Sequence, residues 1–228
     1  MRFSNPFSEL DRFEWILWIS SIIIIAASFL IGGGGNYLTL IASLIGATAL
    51  IFVAKGRVFG QVMTVVFAVF YAVISWHFRY YGEMITYLFM TSPMAIWAAV
   101  EWLKNPYGHG DGEVKVAHLT KGKVIVMFAS CAVVTFVFYF ILRYLGTGSL
   151  FLSTVSIATS FLACALTLLR SPYYALGYSA NDVVLILLWI IASARDITYL
   201  PMVICFAIFL ANDLYGFYNW RRMRARQR

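Results

Sequence analysis

Apolar residues run along this chain in stretches of 17 to 24 residues, each separated from the next by a short polar or glycine-rich segment. No charged residue occurs between Trp15 and Ala54, and the glycines at 32–35 with Asn36 divide this long stretch into a helical hairpin. About 20 apolar residues in a helix are enough to cross a bilayer. The pattern therefore predicts eight transmembrane helices, at residues 15–31, 37–54, 59–78, 84–103, 124–142, 150–169, 172–194 and 197–220.

The composition supports a membrane protein. Of the 228 residues, 62% are hydrophobic and 12% are charged, and the mean hydropathy is +0.82. This is too little charge to form the polar surface of a soluble domain. The net charge of +7 does not indicate nucleic-acid binding, because the basic residues lie between the apolar runs and at the C-terminus. Contact with anionic membrane lipid is the better interpretation of the C-terminal cluster, which comprises Arg221, Arg222, Arg224, Arg226 and Arg228.

The basic residues also predict an orientation. With eight crossings, 14 of the 17 Lys and Arg residues fall on the side of the two termini, and Arg79, Arg143 and Arg195 fall on the other side. Cytoplasmic segments of membrane proteins carry the excess of Lys and Arg. Both termini are therefore expected in the cytoplasm.

Aromatic residues recur at a fixed spacing and indicate an internal repeat. Tyr81 and Tyr199 open the fourth and eighth spans 118 residues apart, and Trp102 and Trp220 close them at the same offset. We interpret spans two to four and six to eight as two copies, which the fifth span makes parallel, with a site between them near the midplane. The predicted segments are 1–36 (N-terminal segment and extra helix), 37–104 (first repeat), 105–149 (polar linker and inverting helix), 150–220 (second repeat) and 221–228 (basic cytosolic tail).

Two amide–carboxylate pairs, Asn181-Asp182 and Asn212-Asp213, interrupt apolar spans. Polar groups at membrane depth are costly and usually face a bundle interior or a water-filled path. Both pairs fall at a similar distance from the same membrane face, so we expect them to converge on one polar site. Tyr215 shares a helix face with Asn212 at i, i+3 and is a further candidate.

Other candidate contacts complete the predicted site. Trp76, Trp97, Trp189 and Phe209 could offer aromatic faces, although interfacial anchoring or packing is the alternative for each. Thr91 and Ser92 are the nearest polar groups in the first repeat, and Gln61 falls near the cytosolic mouth, where it could bind or gate.

The polar pairs leave other functions open. They could form an interhelical hydrogen-bond clamp, and an aspartate could carry a proton in a coupled transporter. Asp182 and Asp213 could in principle form an aspartyl dyad, but the spans contain no nucleophile with an adjacent base, which disfavours an enzyme. Cys131, Cys164 and Cys205 are isolated, and His109 with Asp111 is interpreted as a solvated loop, so we expect no cofactor or metal.

Several segments resemble the PnuC family of vitamin transporters. They are 61–64 (Gln-Val-Met-Thr), 80–83 (Tyr-Tyr-Gly-Glu), 102–106 (Trp-Leu-Lys-Asn-Pro), 212–215 (Asn-Asp-Leu-Tyr) and 219–222 (Asn-Trp-Arg-Arg). The family motif W-x-x-W-x-x-N-x-x-Y corresponds here to Phe206, Phe209, Asn212 and Tyr215, so phenylalanine replaces both tryptophans.

This resemblance implies an all-α integral membrane protein with a SWEET-like 3+1+3 fold and an extra N-terminal helix. It implies transport of nicotinamide riboside across the bacterial inner membrane by facilitated diffusion. Phosphorylation by a cytosolic kinase would trap the substrate and feed NAD synthesis. Thiamine and riboflavin are the alternative substrates, and a homo-oligomer remains open.

Overall fold

The computed structural model describes residues 5–31, 37–77, 80–108, 112–147 and 149–228, and within these ranges the chain is helical without an extended sheet. Short 3-10 helices occur at Pro6–Glu9 and Ile197–Tyr199. The main helices are α1 (Arg12–Ile31), α2 (Tyr37–Ala54), α3 (Val58–His77), α4 (Tyr81–Thr86), α5 (Ser92–Lys104), α6 (Lys121–Tyr144), α7 (Leu150–Leu168), α8 (Tyr174–Ser193) and α9 (Leu200–Arg226).

Seven helices in the described ranges are long and apolar enough to cross a membrane. The eighth predicted crossing, the fourth span at 84–103, corresponds to residues 81–104, in which a π-helix at Tyr87–Thr91 joins α4 to α5. Its 24 helical residues would extend about 36 Å at the rise of an α-helix. The predicted all-helical membrane fold is confirmed, whereas the glycine hairpin at 32–36 lies outside the described residues.

Residues 118 positions apart meet across the interface between the two repeats. The Trp189 indole Nε1 donates a hydrogen bond to the Tyr71 hydroxyl at 3.2 Å, and the rings of Trp102 and Trp220 lie 5.4 Å apart. All four side chains are buried. Contacts between equivalent residues are expected where parallel repeats meet at a pseudo-two-fold axis.

Small residues allow the first two helices of each repeat to pack closely. A Cβ atom at Gly60 of α3 would lie 2.4 Å from the Val53 backbone nitrogen of α2. A Cβ atom at Gly177 of α8 would lie 2.8 Å from the Cα atom of Ala163 of α7. Gly60 and Gly177 therefore allow tight helix packing.

The extra helix α1 lies along α2 as α6 lies along α7. Each is joined to its neighbour by five residues, 32–36 and 145–149. Helix α1 also packs against α9, whereas α6, which is described over its whole length, buries only Met127, Cys131 and Leu142. The extra helix is thus integrated into the bundle through both repeats.

Charged groups gather at the end of the bundle that carries both termini, here called the terminal face; the opposite end is the far face. Here Lys55 pairs with Glu14, Arg57 with Glu9, and Arg170 with Glu101. The turns after α2 and after α7 are therefore at the same end as the N-terminus, as the distribution of basic residues predicts.

The linker between α5 and α6 crosses this face and holds the two repeats together. The Val114 amide donates to the Gly56 carbonyl at 3.0 Å, and the Ala117 amide donates to the Arg170 carbonyl at 2.9 Å. Gly56 and Arg170 follow equivalent helices and both have positive φ, 66° and 54°. The linker thus binds the corresponding turn of each repeat.

The C-terminal residues, predicted as a basic tail at 221–228, largely continue the last helix. Helix α9 continues six residues past the predicted end at 220, and Gln227 binds the linker. Its Oε1 accepts from the Val116 amide at 2.7 Å, and its Nε2 donates to the Val114 carbonyl at 3.1 Å. Met223 is buried beneath the linker, so packing extends the helix beyond the apolar stretch.

Candidate substrate-binding site

A cavity lies between the two repeats, bounded by α2, α3, the fourth span, α8 and α9. The volume of this cavity is about 50 Å³. Its polar lining residues are Gln61, Thr64, Tyr87, Thr91, Tyr178, Asn181, Asp182 and Asp213, and its apolar lining residues are Gly46, Ala49, Leu50, Val53, Phe67, Phe206 and Phe209. Six of the twelve candidate residues named from the sequence line this cavity: Gln61, Thr91, Asn181, Asp182, Phe209 and Asp213.

The π-helix brings two of the lining residues to the cavity. Tyr87 and Thr91 are its first and last residues. A π-helix is wider than an α-helix, and single π turns are frequent at functional sites. Tyr87 and Thr91, four positions apart, therefore share one face of the widened turn, and both line the cavity.

Asn181 is held by three hydroxyl groups of α7. Its Oδ1 accepts from Ser156 at 3.1 Å, from Thr159 at 3.0 Å and from Ser160 at 2.9 Å. These bonds fix the orientation of the side chain, because they hold its carbonyl oxygen towards the hydroxyl groups of α7. The amide NH₂ group is left as the donor that Asn181 can offer to the cavity.

Asp182 and Asp213 converge in the cavity, as the shared level of the two polar pairs predicts. Their carboxyl groups interact directly with each other, and Oδ2 of Asp182 has no hydrogen-bond partner in the described part of the chain. None of the lining residues named above is Lys or Arg. Buried acidic groups without a basic partner favour a positively charged ligand or a proton.

Aromatic rings form one wall of the cavity. The Phe209 ring lies 5.6 Å from Phe67 and 5.5 Å from Phe206, both in edge-on contact. Phe206 and Phe209 occupy the two positions where the family motif has tryptophan. The aromatic character of the wall is therefore retained without the indole N–H groups.

Asn212 and Tyr215 do not line the cavity. The Asn212 Nδ2 donates to Ser21 Oγ of α1 at 3.0 Å and to the Ile208 carbonyl at 2.8 Å, and the Tyr215 hydroxyl donates to Glu14 at 2.8 Å. They share one helix face, but this face is turned to α1. Because successive helical residues are rotated by about 100°, neighbouring Asp213 faces the cavity instead. Glu14 and Ser21, polar residues within the apolar helix α1, are the feature of the sequence that could have indicated this second polar interface.

The predicted tryptophan contacts are also elsewhere. Trp189 is buried in the contact with Tyr71 between the repeats, whereas 61% of Trp76 and 63% of Trp97 is exposed on the outer surface of the bundle. Trp189 is therefore a packing residue, and Trp76 and Trp97 occupy lipid-facing positions. Phe67, Tyr87 and Tyr178 also line the cavity, but aromatic residues in apolar spans are too common for the sequence to single them out. Phe206 was marked in the sequence only by its position in the family motif.

Within the described ranges, no group of three or more His, Cys, Asp or Glu side chains is placed to hold a metal ion. His109 and Asp111, which the sequence pattern places in a solvated loop, lie outside these ranges. Asp182 and Asp213 do come together, as an aspartyl dyad would also require.

Parallel helical repeats around a largely apolar cavity with several polar groups at membrane depth are typical of membrane transporters of small molecules. Comparison with known proteins agrees with this class. The sequence profile of the family described as nicotinamide mononucleotide transporter matches residues 36–222, most of the chain. The chain therefore belongs to this family.

Characterised relatives and a solved structure are similar over nearly the whole chain. The nicotinamide riboside transporter PnuC of Neisseria mucosa is 27% identical over 95% of this chain and 84% of its own length. The protein of the same name from Haemophilus influenzae is 24% identical over 91% of this chain and 89% of its length. A crystal structure of the vitamin B3 transporter PnuC superposes with a TM-score of 0.83 at 26% identity, covering 96% of this chain and 94% of the other.

Proposed function

We propose that this protein carries nicotinamide riboside across the bacterial inner membrane. The observation that carries the proposal is the charge of the cavity: two carboxyl groups, Asp182 and Asp213, and no Lys or Arg among its described lining residues. Nicotinamide riboside contains a positively charged pyridinium ring. The names of the relatives support the same substrate.

The cavity chemistry favours the riboside over the mononucleotide in the family description. A phosphate group is usually bound by Arg, Lys or helix N-termini. A phosphorylated ligand here would meet Asp182 and Asp213 without a basic residue to compensate. The absence of such a residue among the lining side chains therefore supports a nucleoside.

The lining residues suggest a role for each part of the ligand. The carboxyl groups of Asp182 and Asp213 balance the pyridinium charge, and the Phe209 ring offers a face for a cation–π contact of about 0.5–2 kcal/mol. The Asn181 NH₂ group donates to the carboxamide or to a ribose oxygen, and Gln61 and Thr91 are further polar contacts. Asn212, Tyr215, Trp76 and Trp189 are not included among these contacts.

The direction of transport rests on the sequence pattern and the family resemblance. Both termini are placed in the cytoplasm because the terminal face carries most of the Lys and Arg residues. Transport proceeds by facilitated diffusion, and a cytosolic kinase traps the riboside by phosphorylation for NAD synthesis. Thiamine is the second candidate substrate, because its thiazolium ring is also a cation, whereas riboflavin is uncharged.

The test is a calorimetric titration of the purified protein with nicotinamide riboside, nicotinamide mononucleotide, thiamine and riboflavin. We expect the riboside to bind most tightly, and Asp182→Asn to weaken its binding at least tenfold, about 1.4 kcal/mol. Asp196→Asn is the matched control, since Asp196 is exposed in the turn before α9 and should leave affinity unchanged.

Tighter binding of the mononucleotide would contradict the argument from cavity charge. Preferred binding of thiamine would retain the cation site but change the substrate. Unchanged affinity in Asp182→Asn would show that the acidic pair does not contact the ligand.

A further inference from the structure

A third acidic side chain, Glu83, is buried outside the cavity described above. It lies in the first turn of α4 and is 1% exposed. Its Oε2 atom has no hydrogen-bond partner in the described part of the chain, and none of the ion pairs found there involves it. A carboxyl group in the first turn can stabilise a helix, but this role does not require burial of an oxygen without a partner.

Glu83 lies between the cavity and the far face. Helix α4 begins at Tyr81, at the far face, and Glu83 is two residues, about 3 Å, further along. Ser156 contacts the carboxyl group of Glu83, and Tyr71, Tyr80 and Tyr87 are near enough to interact with its charge. Ser156 in turn donates to Asn181, which lines the cavity. A polar connection therefore runs from Glu83 to the proposed substrate site.

Aromatic rings close the cavity on this side. The rings of Tyr71 and Tyr87 lie 4.4 Å apart, and Tyr71 also contacts Phe206 at 5.8 Å between ring centres. Tyr71 is fully buried, whereas Tyr87 lines the cavity. A substrate that moves between the cavity and the far face must separate these rings, and it then passes beside Glu83.

We propose that Glu83, Tyr71 and Tyr87 form a second cation-binding subsite, which holds the positively charged ring of the substrate on its way between the far face and the central cavity. This inference rests on the proposed function. A carboxylate beside aromatic faces is a favourable environment for an organic cation. The cation supplies the partner that the Glu83 oxygen lacks, and it is passed on to the carboxyl pair of Asp182 and Asp213.

The experiment compares uptake with binding for the full-length protein in liposomes. Glu83→Gln removes the charge while keeping the size, and it is expected to slow uptake of nicotinamide riboside at least tenfold. Because the central cavity is unchanged, the equilibrium Kd should stay within about twofold. Glu83→Asp, which keeps the charge, should recover part of the rate.

Two controls separate the charge effect from a structural one. Asp196→Asn removes an exposed carboxylate near the far face and should not change the rate. The uncharged dihydronicotinamide riboside should be carried equally by the wild type and by Glu83→Gln. An equal loss of rate for both substrates, or a Kd that rises with the loss of rate, would assign a structural role to Glu83 and overturn the proposal.

The remaining outcomes distinguish the two proposals. Wild-type uptake of nicotinamide riboside with an unaltered rate in Glu83→Gln would refute the second subsite and leave the proposed function standing. Failure of the folded wild type to bind or carry the riboside would overturn both.

Discussion

One largely buried ion pair is among the contacts that attach the extra helix α1 to the bundle, and it gives a quantitative prediction. Glu14 is 1% exposed, and its carboxylate accepts from Lys55 Nζ at 2.6 Å and from the Tyr215 hydroxyl at 2.8 Å. It also accepts from the Asp11 amide at 2.8 Å, while the Glu14 amide donates to Asp11 at 2.9 Å. These reciprocal bonds form a capping box at the start of α1. The same carboxylate thus fixes the helix start and binds both repeats.

The substitution Glu14→Gln keeps the shape of the side chain and removes its charge. Breaking a buried ion pair usually costs about 3–5 kcal/mol, because the remaining charge is left without a partner. The Lys55 side chain is 17% exposed and gains some hydration, so we expect a loss near the lower limit, about 3 kcal/mol. For a chain of this size this corresponds to a fall in Tm of about 6–12 °C.

The assay is thermal unfolding of the purified protein in detergent, arranged as a double-mutant cycle with Lys55→Met. The control cycle uses Arg57→Gln and Glu9→Gln, a pair whose side chains are 18% and 25% exposed. The Lys55 and Arg57 side chains are almost equally exposed, but the Glu9 carboxylate is more exposed than that of Glu14, and contact with solvent lowers the contribution of an ion pair towards about 0–1 kcal/mol. The coupling energy between Glu14 and Lys55 should exceed that of the control by about 1 kcal/mol or more. Equal coupling in the two cycles would refute the reasoning that burial makes this pair essential to the attachment of α1.

Two further predictions concern close approaches of glycine. Gly60→Ala places a Cβ atom 2.4 Å from the Val53 backbone nitrogen, which cannot move independently of its helix. We therefore expect the free energy of unfolding to fall by about 2–3 kcal/mol. Gly122→Ala, whose Cβ atom meets no atom within 4 Å, is the control, and equal stability of the two variants would contradict this packing. Gly46→Ala places a Cβ atom 2.4 Å from Cζ of Phe209. The Phe209 ring can turn into the cavity to avoid this contact, so the Kd of the riboside measured by calorimetry should rise about tenfold. The fall in Tm should be smaller than for Gly60→Ala. Unaltered affinity in Gly46→Ala would show that the ligand does not use the space beside this ring.

Much of the fold could be predicted from the sequence because membrane helices are determined locally. A bilayer requires each crossing to satisfy its own backbone hydrogen bonds, so the length and hydropathy of a segment are sufficient to place it. The predicted spans agree with α1–α3 and α6–α8 to within a few residues. The spacing between Trp102 and Trp220 likewise indicated the repeat, since it can be counted along the sequence without knowledge of the contact between the two rings.

The C-terminal end of α9 and the π-helix could not be predicted in this way. Residues 221–226 are too polar to belong to an apolar span, and they stay helical because Met223 and Gln227 pack on the linker from another part of the chain. The π-helix at Tyr87–Thr91 has no distinct composition. Both features depend on contacts between segments that are distant in sequence.

The polar pairs show where the sequence was sufficient and where only the tertiary structure could decide. Hydropathy alone marked Asn181-Asp182 and Asn212-Asp213 as groups that need a polar environment, because an apolar solvent cannot satisfy them. The rotation of α9 then decides which member of the second pair meets the cavity. Packing of α9 against α1 turns Asn212 to Ser21 and leaves Asp213 beside Asp182. Adjacent residues on a helix point about 100° apart, so their separate environments are fixed by the neighbours of the helix and not by their position in the chain.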